Sequence, residues 1–118
     1  MPNRRCFALD LVDDAALIGE YCRMHGPGSV WSLVIDHIRL QGIEAMQIWR
    51  RDDRLFMIME TADDYPRPVS NTELQQASEQ WEALMASFQR PMDSALPEEK
   101  WAAMHCIFDL GEHSGTRK

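Results

Sequence analysis

Residues Glu44–Thr61 read EAMQIWRRDDRLFMIMET, and this stretch decides the fold class. EAMQIWR alternates apolar and polar residues at the period of a half-buried strand, and RLFMIMET is a second run rich in large apolar side chains. Arg51-Asp52-Asp53-Arg54 supplies a polar turn, so Met46 to Thr61 is expected to fold as an antiparallel hairpin. The second run is almost continuously apolar, which predicts burial on both of its faces.

Upstream, CFALDL (Cys6–Leu11) reads as another strand. Asp13 and Asp14 can cap a helix beginning near Ala15, with Leu17, Ile18 and Tyr21 on its inner face. Gly26-Pro27-Gly28 ends it, because proline cannot continue the hydrogen-bond ladder and glycine tolerates a reversed backbone. Ser29 is expected to cap a second helical run, with Val30, Leu33, Val34 and Ile38 at helical spacing and Gly42 at its exit. Only the glycine-proline corner separates the two runs, so together they can serve as one kinked helix.

Downstream of the hairpin, DDYPRPVSN is loop. TELQQASEQWEALMASF from Thr72 is helical, with Leu74, Ala77, Trp81, Leu84, Met85 and Phe88 on one stripe. WAAMHCIFDL (Trp101–Leu110) reads as a last strand and GEHSGTRK (111–118) as a solvated tail. The order strand, helix, strand, strand, helix, strand is the α+β, ferredoxin-like (βαββαβ) arrangement, an antiparallel sheet with helices on one face. Its other face needs cover, and a second copy of the chain is the simplest one, so a homodimer is expected.

At 118 residues the chain suits one domain over 1–118, with its core at about 4–110. Apolar residues at 45% and charged residues at 26% argue against disorder. A net charge of −7 repels phosphate backbones, so no nucleic-acid partner is expected. No apolar run reaches membrane-spanning length, and MPNRRCFALD lacks the apolar core of a secretion signal. Cys6, Cys22 and Cys106 match no zinc or redox spacing, so reduced, buried thiols in a cytoplasmic protein are expected. His25, His37, His105 and His113 include no pair at helical ligand spacing, and neither a metal nor a cofactor is anticipated.

Few residues remain to carry chemistry. A free imidazole titrates at about pH 6.5 and exchanges protons near neutrality. His25 follows Tyr21 by four residues, so the pair shares a face if the helix extends that far. A surface role is commoner for a lone histidine, and a core role for a lone tyrosine; the pairing at a helix break distinguishes these two. Trp81 could pack on the apolar face of a sugar ring, with Glu82 beside it as an acceptor. Glu60, at the end of an apolar strand, either serves as a base or faces water. No nucleophilic constellation and no phosphate loop is present, which suits a reaction needing only proton transfer.

RRCFALDL, EYCRMH with its Tyr-x-x-x-His, VW, GIEAMQIW, RLFMIMET and QWEALM, in that order, resemble the L-rhamnose mutarotase family over about residues 4 to 110. The resemblance implies a dimeric, ferredoxin-like α/β barrel-type protein that interconverts the α and β anomers of 6-deoxy-L-sugars without a cofactor. It implies His25 as proton donor, with Tyr21 and Trp81 as substrate contacts. Glu82 stands where the rhamnose branch usually has a second tryptophan, and Met46 falls near that branch's hairpin tyrosine. The HGPGSVW corner is one or two residues longer. These departures touch the sugar-contacting side and resemble the branch associated with L-fucose catabolism.

Anomer exchange needs one group to protonate the ring oxygen and another to take the proton of the anomeric hydroxyl. His25 is expected as the acid, with Glu82, Glu60 or water as the base. Trp81 is expected under the ring, and Met46 and Trp49 at the deoxy methyl group. Two rivals are a dimeric α/β barrel monooxygenase, cofactor-free or haem-using, and a module that senses a sugar without converting it.

Overall fold

The hairpin forms and makes up one side of the sheet, its first strand at the edge and its second against the N-terminal strand. A computed structural model describes residues 3–113; residues 114–118 of the expected tail lie outside the described residues. The elements are β1 (Asn3–Leu11), α1 (Ala15–Met24), α2 (Ser32–Leu40), β2 (Ile43–Arg51), β3 (Arg54–Thr61), α3 (Thr72–Ala86), β4 (Gln89–Arg90) and β5 (Ala102–Ala103). A short 3-10 turn follows at Leu110–Glu112. All strand pairings are antiparallel, in the order β2-β3-β1-β4, with β5 also on β1. Arg51 pairs with Arg54 across a tight turn, where Asp52 takes a positive φ of 52°, a conformation aspartate reaches more readily than most residues.

β3 alternates rather than being buried on both faces. On β3, Leu55, Met57 and Met59 are buried while Phe56, Ile58 and Glu60 are half-buried. Leu9 and Leu11 of β1 and Leu55 are almost wholly removed from water, each contributing roughly 2 kcal/mol of apolar burial. Tyr21, Val34, Trp81, Met85 and Phe88 pack with Leu11 and Leu55 in the main core. A second cluster, Ile43, Met57 and Met59, lies further along the sheet.

Asp14 caps α1 and Asn71 caps α3, each accepting a bond from a main-chain N–H three residues on. Several expectations need correction. Ser29 caps nothing; it closes a turn onto Gly26, and α2 begins three residues later with Trp31 at its N-cap. Gly28, at φ 78°, reverses the chain, so α1 and α2 are separate helices. Leu84 and Leu17 are exposed at the margins of their stripes. Cys22, on the outer side of α1, and Cys106 are also exposed.

The largest correction concerns the last strand. The free edge of β1 is divided between two short pieces, β4 opposite Asp10 and Leu11 and β5 opposite Phe7 and Ala8. Pro91 has no N–H to extend β4. Beyond β5 the Met104 amide bonds Cys6, and the chain then leaves the sheet as an arm with Ile107 93% and Phe108 64% exposed.

Candidate active site

α1 ends at Met24, so His25 is its C-cap rather than part of its last turn. The cap turns the imidazole back along the helix, where Nδ1 lies 2.7 Å from the main-chain oxygen of Tyr21. A carbonyl oxygen only accepts, so Nδ1 carries the hydrogen and Nε2 is left to exchange protons. The two rings sit 4.3 Å apart between centroids. The edge-on ring of Trp81 lies 5.6 Å from His25, and Trp31 packs on Trp81 at 5.1 Å. Helix α3 supplies Trp81 because Leu74, Ala77, Trp81 and Met85 form its buried stripe.

The rings of Tyr21, His25 and Trp81 line a cavity of about 460 Å³ between the inner face of the sheet and the helices. Phe7, Met46, Ile48, Met57 and Met59 form its sheet wall; Tyr21, His25, Trp81 and Glu82 face it from the helical side. A mostly apolar wall with a few converging polar groups is the ordinary make-up of a small-molecule site. Two roomier depressions, of about 510 Å³ beside Arg4 and Glu60 and about 640 Å³ around Trp49 and Arg54, contain neither an imidazole nor a phenol. The chemistry points to the smaller, better-lined cavity.

The Tyr21 phenol is buried, which pushes its pKa above the ordinary value. The negative charge of Glu82 adds to the rise, while a hydrogen bond from Gln89 opposes it. Tyr21 is therefore a neutral phenol at physiological pH, and Gln89 Nε2 donates to its oxygen at 3.1 Å. Glu82 is paired with Lys100 at 3.0 Å at the cavity's rim.

The cavity thus gathers His25, Tyr21, Met46, Trp81 and Glu82. Trp49 is not among them: it is 60% exposed on the opposite sheet face, its indole N–H donating to Gln47. The strand's alternation explains this, since Met46 and Trp49 are an odd number of residues apart. Glu60 likewise points away and pairs with Arg4 at 3.0 Å. Residues that sequence reasoning passed over also line the cavity, notably Gln89, Tyr65 and His37, whose Nδ1 lies 2.8 Å from Gln41 Nε2. Gln89 carried a faint signal, continuing the Trp81–Met85 spacing by a further four residues.

A family model described as L-rhamnose mutarotase matches residues 4–110. The chain is similar to an L-fucose mutarotase of Xanthomonas campestris pv. campestris, 40% identical over 116 residues, covering 93% of this chain and 90% of that protein. A UPF0734 protein of Dictyostelium discoideum is 36% identical over 110 residues, covering 87% and 86%. The crystal structure of an L-rhamnose mutarotase from Formosa agariphila superposes with a TM-score of 0.63 at 15% identity, over 92% of this chain and 98% of that one, which shows a shared mixed α+β fold. Neither the monooxygenase nor the sensor reading finds support among these relatives. The matched span and these identities together establish that the chain belongs to the L-rhamnose mutarotase family, isomerases that interconvert sugar anomers.

Proposed function

We propose that this mutarotase acts on a 6-deoxy-L-hexose, L-fucose in preference to L-rhamnose, with His25 as its proton-transfer group. The observation carrying the reading is the His25–Tyr21 bond, which commits Nδ1 and leaves Nε2 for the sugar. The protonated ring gives its Nε2 proton to the endocyclic oxygen while a second group takes the proton of the anomeric hydroxyl. The bond between C1 and the ring oxygen then breaks, giving the open-chain aldehyde. Rotation about C1–C2 and the reverse transfers close the other anomer, with no net change in protons.

Glu82 is the second group in this scheme, because its carboxylate, though paired with Lys100, lines the cavity, whereas Glu60 lies outside it beside Arg4. Trp81 lies along the ring, Met46 lies at the deoxy methyl group, and the Tyr21 phenol holds a hydroxyl. Water mutarotates sugars slowly by itself, so positioned proton transfer worth about 10²–10⁴-fold accounts for a useful catalyst. The sugar preference is supported by the Xanthomonas relative, named an L-fucose mutarotase. Saturation-transfer NMR on the anomeric protons of both sugars tests it. Faster exchange of L-fucose is the expected result, and L-rhamnose exchanging as fast or faster contradicts the preference.

The assembly in this reading is a ferredoxin-like homodimer of the α/β barrel type. The strand order β2-β3-β1-β4 supports the first part. An outer sheet face bearing Trp49, Phe56 and Ile58, together with the bare apolar arm, supports the second. The Cα radius of gyration is 16.3 Å, against about 13.5 Å for a compact chain of this length, which suits an arm built to lie on a partner. We assign the protein to the cytoplasm, where its free cysteines stay reduced. Among the described residues no helix is long and apolar enough to cross a membrane.

A further inference from the structure

Among the described residues, Gln89 is the one side chain with a buried polar atom that has no hydrogen-bond partner. It lies on β4, opposite Leu11 of β1, and so projects to the same inner face. Its Nε2 donates to the Tyr21 hydroxyl at 3.1 Å. Its Oε1 is buried and has no hydrogen-bond partner among the described residues, and the side chain lines the cavity. Turning the amide over only exchanges the two atoms: one still meets the phenol and the other still faces the cavity. Buried polar atoms are nearly always paired, so an unpaired one in a cavity wall calls for a ligand that supplies the missing partner.

We propose that the Gln89 amide binds a ring hydroxyl of the sugar and selects among 6-deoxy-L-hexoses by that hydroxyl's orientation. The inference rests on the mutarotase reading and adds to it the group that reads the substrate. L-Fucose and L-rhamnose share the anomeric centre, the C3 configuration and the C5 methyl group; they differ in the direction of the hydroxyls at C2 and C4. The methionine, phenylalanine and isoleucine wall senses volume and cannot tell these hydroxyls apart. A fixed amide can, because a misdirected hydroxyl leaves the buried oxygen unpaired. Gln89 also links selection to catalysis, since its other end holds the phenol whose backbone orients His25.

The test is the anomer-exchange kcat/KM of wild type and Gln89→Met, with Gln89→Leu in reserve should the first variant fail to fold. The sugars are L-fucose, L-rhamnose, 2-deoxy-L-fucose and 4-deoxy-L-fucose, each corrected for uncatalysed exchange. The variant is expected to lose roughly 10- to 100-fold on L-fucose, chiefly through KM. The fucose-to-rhamnose ratio should fall toward 1, and the loss should shrink to under about 3-fold on whichever deoxy sugar lacks the contacted hydroxyl. An equal loss on all four sugars would make Gln89 a support for Tyr21 only and overturn the proposal, as would no loss on any. No acceleration by wild type on any sugar would instead bring down the mutarotase reading, and this inference with it.

Discussion

The imidazole Nδ1 of His25 donates to the main-chain oxygen of Tyr21 at 2.7 Å, so the helix end that stops α1 also sets the tautomer of the ring. In nitrogen-15 spectra of histidine-labelled protein, taken where the ring is neutral, His25 should show a protonated Nδ1 and a bare Nε2. The reverse assignment would place the working nitrogen on the wrong side of the ring.

Tyr21 contributes its hydroxyl as well as its backbone. Tyr21→Phe should fold normally and lose roughly 10-fold in kcat/KM, the worth of about one hydrogen bond. Burial raises the folded phenol's pKa above its unfolded value, so its contribution to stability is complete below about pH 10 and declines as pH rises through the folded value. Wild-type melting temperature should therefore drop in strong alkali more steeply than that of Tyr21→Phe. Parallel alkaline curves would contradict the burial of an un-ionised phenol.

Asp10 ties three strands together. Its carboxylate, 7% exposed, accepts from Arg54 of β3 at 2.8 Å, and Arg90 of β4 lies 3.7 Å away. The hydrogen bond from Arg54 outweighs desolvation, with Arg90 assisting, and holds the pKa below the usual carboxylate value. The stabilisation is thus present above the unfolded value of about 4 and is lost as pH falls through the folded one. Asp10→Asn should cost about 2 kcal/mol near neutrality, with the gap from wild type closing in acid denaturant titrations. A gap that persists unchanged to low pH would show that charge is not its source.

The arm carries the assembly prediction. Sedimentation equilibrium should give about twice the 13.7 kDa chain mass for wild type, and Ile107→Asp with Phe108→Ser should shift the protein toward monomer. A wild-type monomer at micromolar concentration would remove the arm's assigned partner.

The legible parts of this molecule are those fixed by local pattern. Alternation in EAMQIWR and the polar turn at Asp52-Asp53 were enough to find the hairpin, and Asp14 and the Trp81 stripe were enough to start α1 and orient α3. The Tyr21–His25 spacing placed both rings in one cavity even though the helix stops one residue short of His25. Long-range pairing was less visible. WAAMHCIFDL has the composition of a strand, but β4 already occupies part of the edge it would use. Trp49 was misplaced although the alternation of EAMQIWR already sets it on the opposite face from Met46, and Gln89 was missed because its importance arises from a two-residue pairing with β1.

The most direct measurement is saturation transfer between the anomeric protons of L-fucose with wild type and with His25→Ala at equal concentration. The account predicts exchange well above background for wild type and a fall of at least about 100-fold toward background for the variant. Equal exchange by the two proteins, with both folded, would mean that the His25 imidazole moves no proton in this reaction.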